Sequence, residues 1–172
     1  TILKYQNYQP LDDEQEYQCN LLIDEKLQEL GFDKYEVSNY AKKGYESKHN
    51  LVYWHFENYY GVGLGSCGKN NHQIIEHSRS LTKYLNGDFK TITIEQSKEE
   101  MMFDQVMMSL RLVEGLNLEV FKERYQEDAL EIYQDAIDKN KKEGRLVIED
   151  NFLKATKEGL YVLNDILVDF MK

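Results

Sequence analysis

The sequence predicts an α+β chain: one helix and one strand, an aperiodic connection, then a mostly helical, winged-helix-like C-terminal domain. Three observations carry this reading. Leu21, Leu22, Leu27 and Leu30 stand among Glu, Gln and Lys just ahead of Gly31, and the following "FDKYEVSNY" turns aromatic and β-branched. From Glu95 onward apolar residues recur at helical spacing. Late in that stretch "RLVIEDNFLKA" reads as two short strands around a tight turn.

Taken in order, "DDEQ" supplies acidic residues suited to the positive end of a helix over Leu11 to Leu30, with Gly31 as its stop. Tyr35 to Tyr40 then reads as a strand. A helix, a Gly and a strand make the αβ half of a βαβ unit, and one strand cannot form a sheet. Partner strands are therefore expected upstream of Thr1, and the chain reads as a fragment. Between Ala41 and Lys90 periodicity is weak apart from a short helix expected in "SRSLTKYLNG" from Ser78. Long aperiodic stretches in a compact domain are more often functional than filler. The segments expected are thus 1–41, 42–94 and 95–172.

In the last segment Ser97 and Glu100 form a capping box ahead of Met102, Phe103, Val106, Met107 and Leu110, a stripe on one helix face that Gly115 ends. Leu116, Asn117 and Phe121 read as staple, cap and staple partner of a second, short helix. A third helix is expected from Leu130 to Glu143, with Leu130, Tyr133, Ala136 and Ile137 inward and Gly144 as its stop. A hairpin follows whose turn is Asp150-Asn151, and Thr156 caps a last helix bearing Leu160, Leu163, Ile166, Leu167 and Phe170 on one side.

The bulk numbers bound the function. With 172 residues and 41% hydrophobic content the chain can bury a core. No run approaches the roughly 18 apolar residues of a membrane span, and "TILKYQNYQP" has neither the basic end nor the apolar stretch of a signal peptide. A cytoplasmic protein is the simplest reading, and a peripheral membrane contact is compatible with it. The net charge of −10 is uneven: acids outnumber bases nine to three in Thr1–Ala41 and eighteen to eleven in Glu95–Lys172, whereas bases lead seven to four in Lys42–Lys90. The acidic flanks and acidic "EDN" turn argue against nucleic acid and leave one basic island for an anionic ligand. Cys19 and Cys67 are the only cysteines, so one copy can build neither a four-Cys zinc site nor a three-Cys iron–sulfur cluster.

Within the basic island, "SKHNLVYW" brings His49, Asn50, Tyr53 and Trp54 into one short segment beside Lys42, Lys43 and Lys48. A porphyrin asks for such a set: a nitrogen for iron, flat aromatic faces for the macrocycle and cations for its propionates. On residue type alone, an ordinary loop histidine beside core or interface aromatics is the commoner arrangement. "GVGLGSCG" holds Gly61, Gly63 and Gly65, whose backbone could approach an adenine, ribose or phosphate, but the spacing departs from a dinucleotide fingerprint and suits a bend or bulge better. His55, His72 and His77 lack metal-pair spacing, and Cys67 has no local Lys-His pair to activate it.

The string "YEVSNYAKKGYESKHNLVYW", followed by "YYGVGLGS", resembles the oxygen-independent coproporphyrinogen III oxidase-like radical SAM proteins. It is most similar to their HemW branch of haem chaperones, through His-Asn-x-x-Tyr-Trp at His49-Asn50-Leu51-Val52-Tyr53-Trp54. "LRLVEGLNLEVF" and "LKATKEGLYVLNDILVDF" resemble the same family's C-terminal domain. The resemblance implies that residues 1–41 are the last helix and strand of a partial (β/α) barrel. It implies haem contacts at His49, Asn50, Tyr53 and Trp54, with His49 toward the iron, and S-adenosylmethionine near Gly61, Gly63 and Gly65. It further implies haem-accepting partner proteins. The 4Fe-4S cluster, S-adenosylmethionine cleavage and oxidoreductase chemistry belong to a full-length parent, because the Cys-x-x-x-Cys-x-x-Cys loop is not in this sequence. Where the family commonly continues Ala-His-Ser after the third Gly, this chain has Ser66-Cys67-Gly68. Oxidative decarboxylation of coproporphyrinogen III by the parent is the alternative activity, and a helical interaction module without ligand the second.

A barrel helix and strand lacking their neighbours would expose apolar surface and a strand edge. Dimerisation of the chain is therefore expected; a single monomeric mass at every loading concentration in sedimentation would count against it.

Overall fold

The computed structural model describes residues 10–171, so most of the N-terminal stretch read for targeting lies outside the described residues. The chain divides into two compact units, Thr1–Glu46 and Ser47–Lys172.

The first unit holds α1 (Asp13–Glu29), β1 (Asp33–Glu36) and β2 (Asn39–Ala41). Asp12 caps α1: its carboxylate accepts from the Gln15 amide at 2.8 Å while the Gln15 side chain accepts from the Asp12 amide at 3.2 Å. No α1 residue is buried, and Leu22 and Ile23 are exposed. The single strand expected over Tyr35 to Tyr40 is corrected to an antiparallel hairpin, β1 with β2, turning at Val37-Ser38. Glu36 explains the turn, since its carboxylate accepts from the Ser38 amide at 3.3 Å and from the Asn39 side-chain amide. Such local side-chain bonds compete with an extended strand. Asp24 ties α1 to both strands, pairing with Lys34 at 2.9 Å and accepting from the Tyr40 hydroxyl. Burial first, and then the Asp24 carboxylate, push the Tyr40 phenol well above its ordinary value.

The second unit begins with α2 (Lys48–Trp54), β3 (Cys67–Asn70), β4 (Gln73–His77), α3 (Leu81–Leu85) and β5 (Thr91–Glu95). Strands β3, β4 and β5 form an antiparallel sheet in that order, and β3 and β4 fall where the sequence shows only weak periodicity. All five β5 residues are exposed and all five β4 residues are half-buried, so neither strand turns one face to a core and the other to solvent. The short helix expected from Ser78 is α3, capped by the Ser80 hydroxyl.

The chain continues through α4 (Lys98–Ser109), β6 (Leu116–Asn117), α5 (Leu118–Tyr125), α6 (Ala129–Ile132) and α7 (Gln134–Lys142). It ends with β7 (Leu146–Glu149), β8 (Phe152–Ala155), α8 (Lys157–Tyr161) and α9 (Leu163–Asp169). A second antiparallel sheet has the order β6-β8-β7. Ser97, Asn117 and Thr156 cap α4, α5 and α8 through their side chains, as their spacing predicts. Asp150 and Asn151 form the β7–β8 turn with φ of 48° and 66°, the left-handed pair of a two-residue hairpin. Val106, Leu110, Leu116, Phe121, Leu153 and Ile166 are each fully buried and make the centre of the core.

Two long helices in the sequence reading become pairs of short ones. The expected helix over Leu130 to Glu143 breaks at Tyr133, and the helix after Thr156 breaks at Val162, where φ/ψ reach −108°/24° and −115°/26°. Each break serves packing. The buried Tyr133 ring meets Phe170 at 5.3 Å, and the α8 backbone at Gly159 lies so close to the Arg145 carbonyl that a Cβ would fall 2.1 Å from its oxygen. Likewise Gly115 is not the stop of α4, which ends at Ser109. Gly115 instead has φ +82° and lies against β8, where a Cβ would sit 2.3 Å from the Leu153 carbonyl oxygen.

Gly115→Ala should therefore destabilise the chain by well over about 1 kcal/mol, adding a clash to the cost of a positive φ, with urea unfolding as the readout. A second outcome concerns alkaline pH. Burial is the first cause that raises the Tyr125 and Tyr133 phenols from 10.0 to about 12. Their contribution is complete below pH 10 and is lost as pH climbs through about 12. The urea midpoint should fall over that window, and less steeply in a Tyr133→Phe variant.

Candidate functional site

The His-Asn-x-x-Tyr-Trp residues lie on α2, a seven-residue helix in a stretch that reads as aperiodic. Ser47 starts it, its hydroxyl accepting from the Asn50 amide at 3.3 Å. A Schellman motif ends it: the Phe56 amide donates to the Tyr53 carbonyl and the Glu57 amide to the Val52 carbonyl, both at 3.0 Å. The residue in the left-handed position is Phe56, φ 57°, where glycine is usual.

Helical geometry sorts the motif. His49 and Tyr53, four residues apart, share one face. The Tyr53 hydroxyl lies 3.2 Å from His49 Nε2, and the rings meet edge to face at 4.9 Å. Tyr59 continues the cluster, its ring 4.6 Å from that of Tyr53. His49 itself is exposed. Burial, followed by the neighbouring Cys67 thiol, pushes the Tyr59 phenol up to about 12. Trp54 is engaged elsewhere: Arg111 lies 5.8 Å from its ring, its carbonyl accepts from the Ser109 hydroxyl at 3.2 Å, and its buried indole nitrogen has no hydrogen-bond partner among the described residues. The helix therefore brings His49 and Tyr53 together and ties Trp54 to α4. Asn50 contributes its backbone amide to the Ser47 cap.

The glycines do different work. At Gly61 a Cβ would fall 2.4 Å from the Cys67 carbonyl oxygen, so the residue permits close approach to β3 beside the reciprocal Tyr59–Lys69 backbone bridge. Gly65, φ +67°, donates its amide to the Ser78 carbonyl at 3.0 Å. Gly63, φ +99°, has nothing within 4 Å of its Cβ position.

Two of the remaining histidines, His55 and His72, find carboxylates that sequence spacing could not show. His55 Nε2 lies 2.6 Å from Glu114, and His72 Nε2 lies 3.0 Å from Glu95. Among the described residues no group of three or more His, Cys, Asp or Glu could hold a metal ion, and no helix is long and apolar enough to cross a membrane.

Sequence reading also missed a pair of cations. Lys69, only 7% exposed, donates to the Phe56 carbonyl at 3.3 Å and stands 4.0 Å from the Phe56 ring centroid. Arg124 donates to the same carbonyl at 3.3 Å and to Gln105 Oε1 at 2.8 Å. The one available signal was a lysine directly after the glycine run.

Known proteins bear on this geometry. The family model described as the HemN C-terminal domain matches residues 96–162. The haem chaperone HemW of Buchnera aphidicola subsp. Acyrthosiphon pisum is 34% identical over 164 residues, covering 89% of this chain and 42% of that protein. HemW of Bacillus subtilis is 27% identical over 164 residues, covering 92% and 43%. A 43-residue stretch is 51% identical to HemW of Escherichia coli. The fold matches the solved structure of coproporphyrinogen III oxidase (HemN) from Escherichia coli, described as a radical SAM enzyme. Its TM-score is 0.70 at 11% identity, over 94% of this chain and 42% of that one. The chain thus spans about two fifths of the length of these relatives. Helices and strands mixed as in HemN, a match to the HemN C-terminal domain over residues 96–162 and several HemW relatives make this chain similar to the C-terminal part of a HemW-like protein.

Proposed function

We propose that this chain is the haem-holding part of a haem chaperone, taking haem at His49 and releasing it to haem-requiring proteins. The observation that carries the reading is the exposed His49 imidazole on α2, set edge to face against Tyr53. These residues fit the group. A single imidazole suits iron, and its Nε2 is engaged only by a 3.2 Å contact that a stronger ligand interaction would displace. Haem would supply the iron and the flat macrocycle. His49 would hold the iron, and Tyr53 would keep the imidazole ring oriented through its edge contact. Lys48, exposed beside His49, would receive a propionate. One exposed ligand also suits handover, because little apolar area must be uncovered when the cargo leaves.

In the full-length protein the same reading gives residues 10–41 to the end of a partial (β/α) barrel and the unit from α4 onward to a winged-helix-like domain. It keeps the protein in the cytoplasm. Gly63, the glycine with open space at its Cβ position, would let a flat S-adenosylmethionine adenine approach the backbone. The cluster and S-adenosylmethionine belong to that longer protein. The second reading, a part of an oxygen-independent coproporphyrinogen III oxidase, draws on fold likeness at 11% identity, against 34% to a HemW.

Haemin titrated against this chain should give a Soret shift, and His49→Ala should weaken binding by about tenfold or more, the loss of one ligand interaction of about 1.4 kcal/mol or more. Equal, weak binding by both proteins would sink the assignment of His49.

A further inference from the structure

A cavity of about 780 Å³ opens beside β3, lined among others by Phe56, Lys69, Met101, Arg124 and Tyr125. Its volume is that of a small-molecule pocket. His49 does not line it. Lys69 and Arg124 are drawn to one point, the Phe56 carbonyl oxygen, and neither makes an ion pair among the described residues. The other basic side chains of the lining have partners: Lys98 pairs with Glu127 at 2.8 Å, and His72 lies 3.0 Å from Glu95. Glu57, exposed, is the single acid of the lining.

Arg124 is exposed and its charge is screened by water, whereas the buried Lys69 ammonium touches only the Phe56 carbonyl and ring, with the Asp104 charge acting on it from beyond ion-pair distance, and a buried lysine without a direct ion-pair partner is costly. Burial first, and then the Arg124 charge, lower the Lys69 pKa. The backbone is unusual at the same place. Phe56 holds a left-handed φ that a phenylalanine rarely adopts, and it is 5% exposed, so its ring forms part of the wall while its carbonyl faces the cations.

We propose that this cavity is a binding site for a small organic anion, a carboxylate on an apolar body. Lys69 and Arg124 receive its charge, and Phe56, Met101 and Tyr125 cover its body. The site is separate from the His49 face and stands whether or not that face holds haem.

Anilinonaphthalene sulfonate, an aromatic anion whose fluorescence rises on leaving water, is the probe. Lys69→Met and Arg124→Met should each weaken its binding about tenfold, the worth of one charge-assisted contact. Phenylnaphthylamine, which lacks the sulfonate, should bind these variants and the parent alike. Glu57→Gln, at an exposed position that leaves folding intact, should tighten the dye. Benzoate should displace it, and inorganic phosphate at the same concentration should not. Unchanged dye affinity in the folded Met variants and in Glu57→Gln, or displacement by phosphate as readily as by benzoate, would overturn the proposal.

Discussion

The Phe56 carbonyl is the point on which the second unit turns. Lys69 of β3 and Arg124 of α5 both donate to it, Arg124 reaches on to Gln105 of α4, and Phe56 itself closes α2. Strand β3 and helix α5 thus converge on one oxygen atom at the end of α2, and α4 is joined to that point through Arg124. The conformation that aims it is a left-handed phenylalanine, which costs on the order of 1 kcal/mol or more and persists only because its surroundings over-determine it. The Ser109 hydroxyl on the Trp54 carbonyl adds a second tie from α4 to the end of α2. The helix bearing His49 is therefore anchored at its C-terminal end, while its N-terminal half carries the exposed imidazole.

That polarity explains how a short helix can present a ligand. Seven residues are too few for a helix to persist on backbone hydrogen bonds alone. Here a serine cap at one end and a Schellman closure at the other hold it, and the C-terminal end is fixed to the helical core. His49 gains a defined direction without being buried. Tyr53 relays that order, since it contacts His49 on one side and the half-buried Tyr59 on the other.

Local chemistry was legible in the sequence and long-range chemistry was not. Ser97, Asn117 and Thr156 each act on the residue three positions on, and Asp150-Asn151 has its reason in its own two dihedrals, so spacing was sufficient. The breaks at Tyr133 and Val162 answer to packing from distant residues, which a helical period cannot encode. The hairpin at Val37-Ser38 was hidden because Glu36, an ordinary strand-edge charge by type, turns back onto Ser38 and Asn39. The i, i+4 relation of His49 and Tyr53 could be read only once α2 was known to be a helix. Lys69 and Arg124, 55 residues apart, offered no local pattern at all. Family resemblance supplied the motif's meaning, and the geometry separated Trp54, tied to α4, from the pair on the exposed face.

The fully exposed β5 has a dynamic consequence. It pairs with β4 alone at one edge of its sheet, and Ile92 and Ile94 are both exposed. An edge strand with no buried residue opens at low free energy, so hydrogen exchange in this sheet runs from β5 inward. At the opposite edge, β3 is held by Tyr59 across the bridge and by the buried Lys69. Fraying at the outer strand can thus proceed while the wall of the cavity keeps its shape.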